Sequence, residues 1–247
     1  MTRILLTNDD GIDAKGLLSL KLELEKIPDV ELWIVAPDSQ RSACSHGMTL
    51  SKPVSVQKLH SKTYSHSGLV ADGVYLAIYH LMKSPPDIVV SGINSGANLA
   101  EDVIYSGTIA GARESVLQGI SGIAISLIDG DDFGLAAKHA ASYIVSLLKT
   151  SAQKPFLYNL NYPAGVFYEP VFAPLGTRPY EKNVKEVKGK NSDSTSYIIG
   201  GNPILGLKRE QYSDVDLIEK GYATITPLII NQTDHLQIEK IRQTGEK

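Results

Sequence analysis

Apolar residues in the first 160 positions form short runs that alternate with longer stretches of helical periodicity. The runs that predict strands are Ile4–Thr7, Leu32–Ala36, Ile88–Ser91, Ile123–Ser126 and Phe156–Leu160. The stretches that predict helices are Leu17–Lys26, Ala71–Met82, Gly107–Gln118 and Leu135–Lys149. Short apolar strands separated by helices are typical of a mostly parallel sheet with helices on both faces. The pattern therefore predicts an α/β fold.

Later segments depart from this alternation. Residues 48–67 show partial period-two alternation and predict a β-hairpin insertion, and residues 170–203 lack helical periodicity and favour antiparallel strands and loops. Beyond them we expect a short helix over Asp214–Lys220, a strand over Ala223–Thr226 and a polar helix over Thr233–Gln243. We therefore expect a core over residues 1–165 and a smaller β-rich part over residues 166–247.

Composition narrows the class of protein. Of the 247 residues, 43% are hydrophobic and 21% are charged, which is typical of a folded globular protein and not of a disordered chain. Cys44 is the only cysteine, so neither an intrachain disulfide nor a cysteine-rich zinc site is possible. A net charge of −3 argues against binding to duplex nucleic acid. Without a membrane-length apolar run or a recognisable signal peptide, we expect a cytoplasmic protein that does not bind membranes.

Polar residues concentrate where the predicted strands end. In an open parallel sheet, ligands bind beyond the carboxyl ends of the strands. Residues 8–11 (NDDG) follow the first strand, residues 37–42 (PDSQRS) follow the second, and residues 92–98 (GINSGAN) follow the strand over Ile88–Ser91. We expect these three loops to share one edge of the sheet.

The adjacent carboxylates of Asp9 and Asp10 allow two interpretations. Aspartate and glycine are common in turns, so the segment is by itself compatible with a purely structural turn. Magnesium and manganese, however, prefer carboxylates combined with neutral oxygens. Gly11 lets the chain curl so that both carboxylates reach one ion, and Ser42 and Asn94 are candidates for the neutral ligands.

A second candidate feature is Ser106-Gly107-Thr108, which directly precedes a predicted helix. It is compatible with a simple helix cap. It also has the composition of a phosphate cradle, because backbone N–H groups at a helix N-terminus attract anions and hydroxyls add donors. Together with the carboxylates, it favours a combined metal and phosphate site.

Other catalytic motifs are missing from the sequence. No phosphate-binding P-loop, dinucleotide-binding glycine motif or serine nucleophile elbow is present, and no two histidines have helical metal-ligand spacing. His46 lies close enough to the second loop to be a minor candidate for substrate contact. Cys44 has no activating signal, and we expect a small, wholly or partly buried residue there.

Several segments in order resemble the SurE family of 5′/3′-nucleotidases. They are residues 4–12 (ILLTNDDGI) with Gly16, 35–43 (VAPDSQRSA), 91–98 (SGINSGAN), Asp102 with 105–112 (YSGTIAGA), and Asp214–Asp216 with 221–228 (GYATITPL). The resemblance covers nearly the whole chain, and the long motif formed by residues 91–98, Asp102 and residues 105–112 is highly specific.

The resemblance implies a phosphatase that acts on nucleoside monophosphates with one divalent cation, Mg²⁺ or Mn²⁺, in each subunit. It implies a Rossmann-like three-layer fold with a smaller β-rich C-terminal part. Residues after about 170 would form a dimer or tetramer interface. The implied metal ligands are Asp9, Asp10, Ser42 and Asn94, and the implied phosphate-binding residues are Asn98, Ser106, Gly107 and Thr108. We expect Asp9 and Asp10 to be the catalytic pair, with Asp10 orienting or deprotonating the attacking water.

One segment departs from the family pattern. Residues 68–74 read GLVADGV, where the family usually has Gly-Thr-Pro-Ala-Asp-Cys-Val. A non-catalytic nucleotide-binding module is therefore an alternative hypothesis. A glycosyltransferase-like enzyme with a metal–nucleotide site is another. A phospho-aspartyl mechanism is disfavoured, because Asn8 stands where its nucleophile would be.

Overall fold

The computed structural model describes residues 1–150, 155–188, 195–204 and 210–244. Its strands are β1 (Thr2–Thr7), β2 (Val30–Pro37), β3 (Val56–His60), β4 (Thr63–His66), β5 (Ile88–Ser95), β6 (Ser121–Ile128), β7 (Leu157–Pro163), β8 (Tyr168–Phe172), β9 (Asn183–Lys188), β10 (Thr195–Gly200) and β11 (Tyr222–Pro227). Its α-helices are α1 (Lys15–Leu24), α2 (Val70–Leu76), α3 (Asp102–Tyr105), α4 (Gly107–Leu117), α5 (Gly134–Thr150), α6 (Asp214–Glu219) and α7 (His235–Thr244).

Nine strands form one sheet in the order β3-β4-β2-β1-β5-β6-β7-β11-β8. The central strands β2, β1, β5, β6 and β7 are parallel to one another. Only two pairings in this sheet are antiparallel, β3 with β4 and β7 with β11. The expected α/β fold with a mostly parallel sheet is therefore confirmed. A separate antiparallel pair, β9 with β10, adds to the β-rich C-terminal part.

Burial on both faces of the sheet explains why strands such as β1 are apolar throughout. In β1, Ile4 and Leu6 pack into the core that α1 and α5 cover, whereas Leu5 packs with residues of α2 on the opposite face. Because successive side chains of a strand point to opposite faces, a strand covered on both faces must be apolar throughout. Helices α1 and α5 thus form one outer layer and α2 and α4 the other.

The predicted elements occur with shifted ends. The insertion over residues 48–67 contains the hairpin β3–β4, and β4 pairs parallel to β2, so the hairpin extends the main sheet. The predicted helix over Ala71–Met82 changes from α-helix to π-helix at Ala77–Leu81. The strand expected to end at Ser91 continues to Ser95 across a shift in register between Ser91 and Asn94. Part of the segment expected to be antiparallel, residues 189–194, lies outside the described residues.

The segment after residue 165 is joined to the core and also extends away from it. Strand β11 pairs with β7, and β8 pairs with β11, so the main sheet continues into this segment. Helix α7, in contrast, has no buried residue. Of the helices in the described part of the chain, none is long and apolar enough to cross a membrane.

His66, at the end of β4, is a buried titratable side chain outside the loops considered above. Its imidazole is 1% exposed, and neither ring nitrogen has a hydrogen-bond partner among the described residues. The ring fills the space next to Gly73, where a Cβ atom would lie 2.2 Å from Nε2. Burial lowers the pKa of His66 from 6.5 to about 4.

We expect His66 to make folding stability depend on pH. Between pH 6.5 and about 4 the unfolded chain binds a proton at this ring that the folded chain excludes, so stability is lost as pH falls through this range. The loss should be on the order of 3 kcal/mol. His66→Gln should flatten the pH dependence of urea unfolding, whereas His60→Gln, at an exposed position of the same hairpin, should not. Equal slopes in wild type and His66→Gln would contradict this prediction.

Candidate active site

The sheet brings the predicted loops together at its topological switch point. From β1 the chain continues to β2 on one side, and β5 lies on the other, so the connections leave the sheet in opposite directions. A crevice forms beyond the carboxyl ends of strands at such a point. Asp9 and Asp10 follow β1, and Asn94 stands near the end of β5, so these residues meet at the crevice.

A cavity of about 1030 Å³ opens at this edge of the sheet. It is lined by six of the eight predicted site residues, namely Asp9, Asp10, Ser42, Asn94, Asn98 and Ser106. The remaining two, Gly107 and Thr108, contact Asp9 from the start of α4. The structure therefore brings all eight residues into one neighbourhood.

The start of α4 approaches Asp9 closely because residue 107 is glycine. A Cβ atom at Gly107 would lie 2.9 Å from Cβ and Oδ2 of Asp9 and 2.9 Å from Sγ of Cys44. Any larger residue would push the helix away from the carboxylate. The first-turn N–H groups of a helix lack intrahelical acceptors and carry partial positive charge, so this approach places them beside the negative group.

Asp9 is a carboxylate largely removed from water. It is 4% exposed, and Thr108 Oγ1 donates a hydrogen bond of 2.6 Å to its Oδ1. Burial is the main cause that raises the pKa of Asp9 from 3.8 to about 6, and the nearby charge of Asp10 raises it further. The hydrogen bond from Thr108 opposes this shift.

Asn8 holds the turn that places Asp10 in the same cavity. Its Nδ2 donates to the carbonyl oxygen of Gly11 at 3.0 Å, and its Oδ1 accepts from the N–H of Gly11 at 3.1 Å. Gly11 adopts a φ of 108°, which favours glycine. Oδ2 of Asp10 accepts from the N–H of Ser95 at 3.2 Å, and partial burial raises the pKa of this carboxyl. The curl expected at Gly11 is thus present.

Ser42 and Asn94 complete a set of oxygen donors. The loop of Ser42 is fixed to the turn after β1 by a bond of 2.7 Å from the N–H of Arg41 to the carbonyl oxygen of Asp9. Gln40 donates to Ser42 Oγ at 3.0 Å, and Asn94 donates through Nδ2 to the carbonyl oxygen of Gly96 at 3.0 Å. Two carboxylates, a hydroxyl and an amide oxygen suit a hard divalent cation.

Asn98 is held by a buried polar network that sequence reasoning missed. Its N–H donates to Oδ1 of Asn161, and its carbonyl oxygen accepts from the side-chain amides of Asn159 and Asn161. Its own Nδ2 donates to Ser126 Oγ at 2.8 Å. Both β7 asparagines are fully buried, and their i, i+2 spacing in an otherwise apolar strand was the available signal.

The structure corrects the expected contact of Thr108. We expected its hydroxyl to face phosphate, but the side chain is fully buried and its hydroxyl donates to Asp9. It therefore supports the carboxylate and is not part of the described cavity lining. Ser106 caps α4 by accepting the N–H of Ile109 at 3.0 Å, and it also lines the cavity.

His46 and Cys44 lie close to the site in supporting positions. Nε2 of His46 is 2.8 Å from Oε2 of the buried Glu114, and His46 is not part of the described cavity lining. Cys44 is partly buried, and burial raises the pKa of its thiol above the usual range. A raised pKa disfavours the reactive thiolate, so Cys44 does not show the features of a nucleophile.

Comparison with known proteins gives consistent matches. The family model described as Survival protein SurE matches residues 4–188. The chain is 38% identical to a 5′-nucleotidase SurE from Campylobacter curvus, covering 99% of each chain. It is 39% identical to one from Campylobacter lari, covering 98% of each. Its fold matches the crystal structure of the SurE protein from Aquifex aeolicus with a TM-score of 0.85 at 29% identity, over 99% of this chain and all of that one.

We expect Thr108→Val to raise the pKa of Asp9 above its value of about 6, because the variant loses the hydrogen bond that favours the charged carboxylate. The measurement is an NMR titration of the Asp9 carboxyl carbon in metal-free protein. Thr226→Val is the matched control, since it removes a buried hydroxyl without a hydrogen-bond partner among the described residues. An unchanged midpoint in Thr108→Val would show that the hydroxyl does not stabilise the charge.

Proposed function

Because the chain belongs to the SurE family, we propose that it is a hydrolase that removes the phosphate from nucleoside 5′-monophosphates with the help of a divalent cation. One observation carries this proposal: two adjacent carboxylates, a hydroxyl and an amide oxygen line one cavity beside the N-terminus of α4. Relatives that match nearly the whole chain are named 5′-nucleotidases, which supports the same reaction class.

The charge of the cavity supports a cation requirement. Its described lining includes the carboxylates of Asp9, Asp10, Glu101, Asp102 and Glu181, and its only lysine or arginine is Lys182. A phosphate dianion is repelled by such a surface unless a cation is also bound. Asp9, Asp10, Ser42 and Asn94 would hold Mg²⁺ or Mn²⁺, which when bound neutralises phosphate charge and lowers the pKa of a bound water.

The opposite side of the phosphate would meet the start of α4. The N–H groups of Gly107 and Thr108 precede the first helical hydrogen bond and supply donors, and Ser106 adds a hydroxyl. Asn98 has two amide hydrogens, of which Ser126 accepts one, so its amide supplies a further donor at the cavity. These groups would fix the phosphate for displacement of the nucleoside oxygen by water.

Asp10 is the proposed group that orients or deprotonates the attacking water. Its carboxylate lines the cavity. The N–H of Ser95 donates to this carboxylate and fixes its position, and partial burial raises its pKa. Asp9 is less suited to exchange protons with substrate, since it is almost fully buried and bonded to Thr108. A mechanism with a covalent phosphoryl intermediate on residue 8 is disfavoured, because Nδ2 and Oδ1 of Asn8 both bond to the backbone of Gly11 in the turn.

The altered segment at residues 68–74 gives little support to a non-catalytic module. Asp72 is buried and accepts the N–H groups of Thr49 and Leu69. Gly73 contacts His66, and no residue of this segment is part of the described cavity lining. The departures from the family pattern therefore affect packing next to the β3–β4 hairpin and do not change the described cavity lining. Activity on 3′-monophosphates, the choice between Mg²⁺ and Mn²⁺ and a cytoplasmic location stay predictions.

We expect the purified protein to release phosphate from nucleoside 5′-monophosphates when Mg²⁺ or Mn²⁺ is added, and to lose this activity on exhaustive chelation. Asp9→Asn should weaken cation binding, because an amide attracts the ion far less than a carboxylate does. Asp10→Asn should in addition lower kcat at saturating metal by about 10²–10⁴-fold.

The measurement is a phosphate-release assay at several metal concentrations, with metal affinity determined by calorimetry. Asp216→Asn, on α6 and outside the described cavity lining, is the matched control. Activity that survives chelation would exclude the cation requirement. A normal kcat in Asp10→Asn would show that Asp10 only binds the metal and does not act on the attacking water.

We also propose that the segment after residue 165 forms a homodimer or homotetramer. Phe172, on the edge strand β8, and Ile229 expose large apolar side chains, and on α7 Leu236 is 71% exposed with Ile241 partly exposed. Apolar side chains on an otherwise unburied helix are typical of a helix that packs against another chain.

Removal of α7 should therefore reduce the assembly size and leave the sheet intact. A chain that ends at Asp234 should show a lower mass by light scattering and near wild-type circular dichroism, because α7 buries no residue in the core. A chain that ends at Thr244 is the control. If the shorter chain keeps the full-length mass, α7 is not part of the interface.

A further inference from the structure

The cavity has an inner and an outer wall of different origin. The inner wall consists of the loops after β1, β2 and β5 together with the start of α4. The outer wall consists of the two legs of the β9–β10 hairpin, over residues 180–184 and 199–201. The inner wall carries Asp9, Asp10 and the proposed phosphate donors, so the outer wall faces the part of the substrate that lies beyond the phosphate.

The two hairpin legs are joined to each other but are largely exposed. Tyr180 and Pro203 form an antiparallel bridge, and the N–H of Glu181 donates to the carbonyl oxygen of Asn202 at 2.9 Å. All six residues of β10 are exposed. The strands therefore do not gain their position by packing into the core, and the hairpin needs another anchor.

Arg178 and Tyr180 provide this anchor at the base of the hairpin. Arg178 Nη1 lies 2.5 Å from Oδ2 of Asp102, and the hydroxyl of Tyr180 donates to Oδ1 of Asp102 at 2.7 Å. The N–H of Arg178 donates to Oε2 of Glu101 at 2.8 Å. Arg178 and Asp102 are mostly buried, with side chains 18% and 14% exposed, so this ion pair is shielded from solvent.

Asp102 connects this anchor to the catalytic side of the cavity. It begins α3, and its backbone carbonyl accepts the N–H of Ser106, the residue that caps α4. One carboxylate thus joins the base of the hairpin to the segment that leads into the proposed phosphate cradle. A change in this cluster would move the outer wall relative to the inner wall.

The size and chemistry of the outer wall match a nucleoside. A cavity of about 1030 Å³ is far larger than a phosphate group needs and is in the range of sites for drug-sized molecules. Tyr180, Val184 and Ile199 give this wall an aromatic and apolar surface, while Lys182 and Asn183 supply polar groups. Aromatic and apolar side chains bind the flat faces of nucleobases, and polar groups bind sugar hydroxyls.

We propose that Asp102, Arg178 and Tyr180 are positioning residues that hold the β9–β10 hairpin as the binding surface for the nucleoside part of the substrate. This inference rests on the proposed function, since it assigns one end of the proposed substrate to the outer wall. A small phosphomonoester such as phenyl phosphate reaches the inner wall without needing the full outer wall. The cluster therefore sets selectivity between nucleotides and small esters.

The test compares adenosine 5′-monophosphate with phenyl phosphate in wild type, Tyr180→Phe and Asp102→Asn. Tyr180→Phe keeps the ring and loses the hydroxyl, which donates to Asp102 and accepts from Arg178, so KM for the nucleotide should rise about three- to tenfold. Asp102→Asn also loses the ion pair with Arg178, and KM for the nucleotide should rise tenfold or more. KM and kcat for phenyl phosphate should change less than twofold in Tyr180→Phe, and in Asp102→Asn the rise in KM should be larger for the nucleotide than for phenyl phosphate.

Asp216→Asn is the matched control, because it removes a carboxylate that binds Lys220 and the N–H of Tyr212 away from the cavity. Thermal unfolding of each variant shows whether it is folded, and Tyr180→Phe is the milder of the two changes. Equal rises in KM for both substrates would overturn the proposal, as would an unchanged KM for the nucleotide. A lower KM for both in Asp102→Asn would show that Asp102 acts only by repelling phosphate.

Nucleotide affinity measured by calorimetry with Mn²⁺ separates this proposal from the proposed function. A wild type that binds the nucleotide without releasing phosphate contradicts the hydrolase assignment, yet weaker binding by Tyr180→Phe would still support the role of the hairpin. A wild type that does not bind the nucleotide overturns both. A wild type that hydrolyses both substrates, with variants that do not discriminate between them, overturns the role of the hairpin alone.

Discussion

The burial of one carboxylate, Asp9, is the constraint on which the site depends. A charged group almost removed from water is unfavourable unless other groups compensate for it. Here the hydroxyl of Thr108 donates to it, and Gly107 lets the start of α4 approach it. The neighbouring Asp10 adds negative charge instead of neutralising it. A hard cation would compensate both charges, as the proposed function requires.

Buried hydrogen bonds connect the candidate site to other parts of the molecule. Asn98 is fixed by Asn159 and Asn161 of β7, on the far side of β6 from the carboxylates. Asp214 is fully buried and accepts the N–H groups of Ala100 and Gly176. Because the bond from Ala100 to Asp214 joins the loop after β5 to the segment after residue 165, that segment supports the candidate site and is also a candidate interface.

Local patterns were sufficient to predict much of the fold. Apolar runs identified the parallel strands, since strands covered on both faces leave little choice of residue. The rule that ligands bind beyond strand ends was enough to bring Asp9, Asp10 and Asn94 together, because parallel strands end at the same edge. The antiparallel place of β11 beside β7 was not predictable, since strand neighbours depend on contacts distant in sequence.

The same limit explains what was missed in the site. A threonine at the start of a helix looks the same in sequence whether its hydroxyl faces a ligand or a buried carboxylate, so the contact of Thr108 with Asp9 was not foreseen. The cluster of Asp102, Arg178 and Tyr180 joins positions more than 70 residues apart. Only the folded chain shows that the β9–β10 hairpin forms a wall of the cavity.

Proton release on cation binding tests the central claim most directly. If Asp9 is a buried carboxyl with a pKa of about 6 that binds the cation in its charged form, Mn²⁺ binding must displace its proton. Calorimetry in two buffers of different ionisation enthalpy should show about half a proton released at pH 6 and little at pH 7.5. Stoichiometric binding at pH 6 without proton release, or wild-type affinity in Asp9→Asn, would contradict the account.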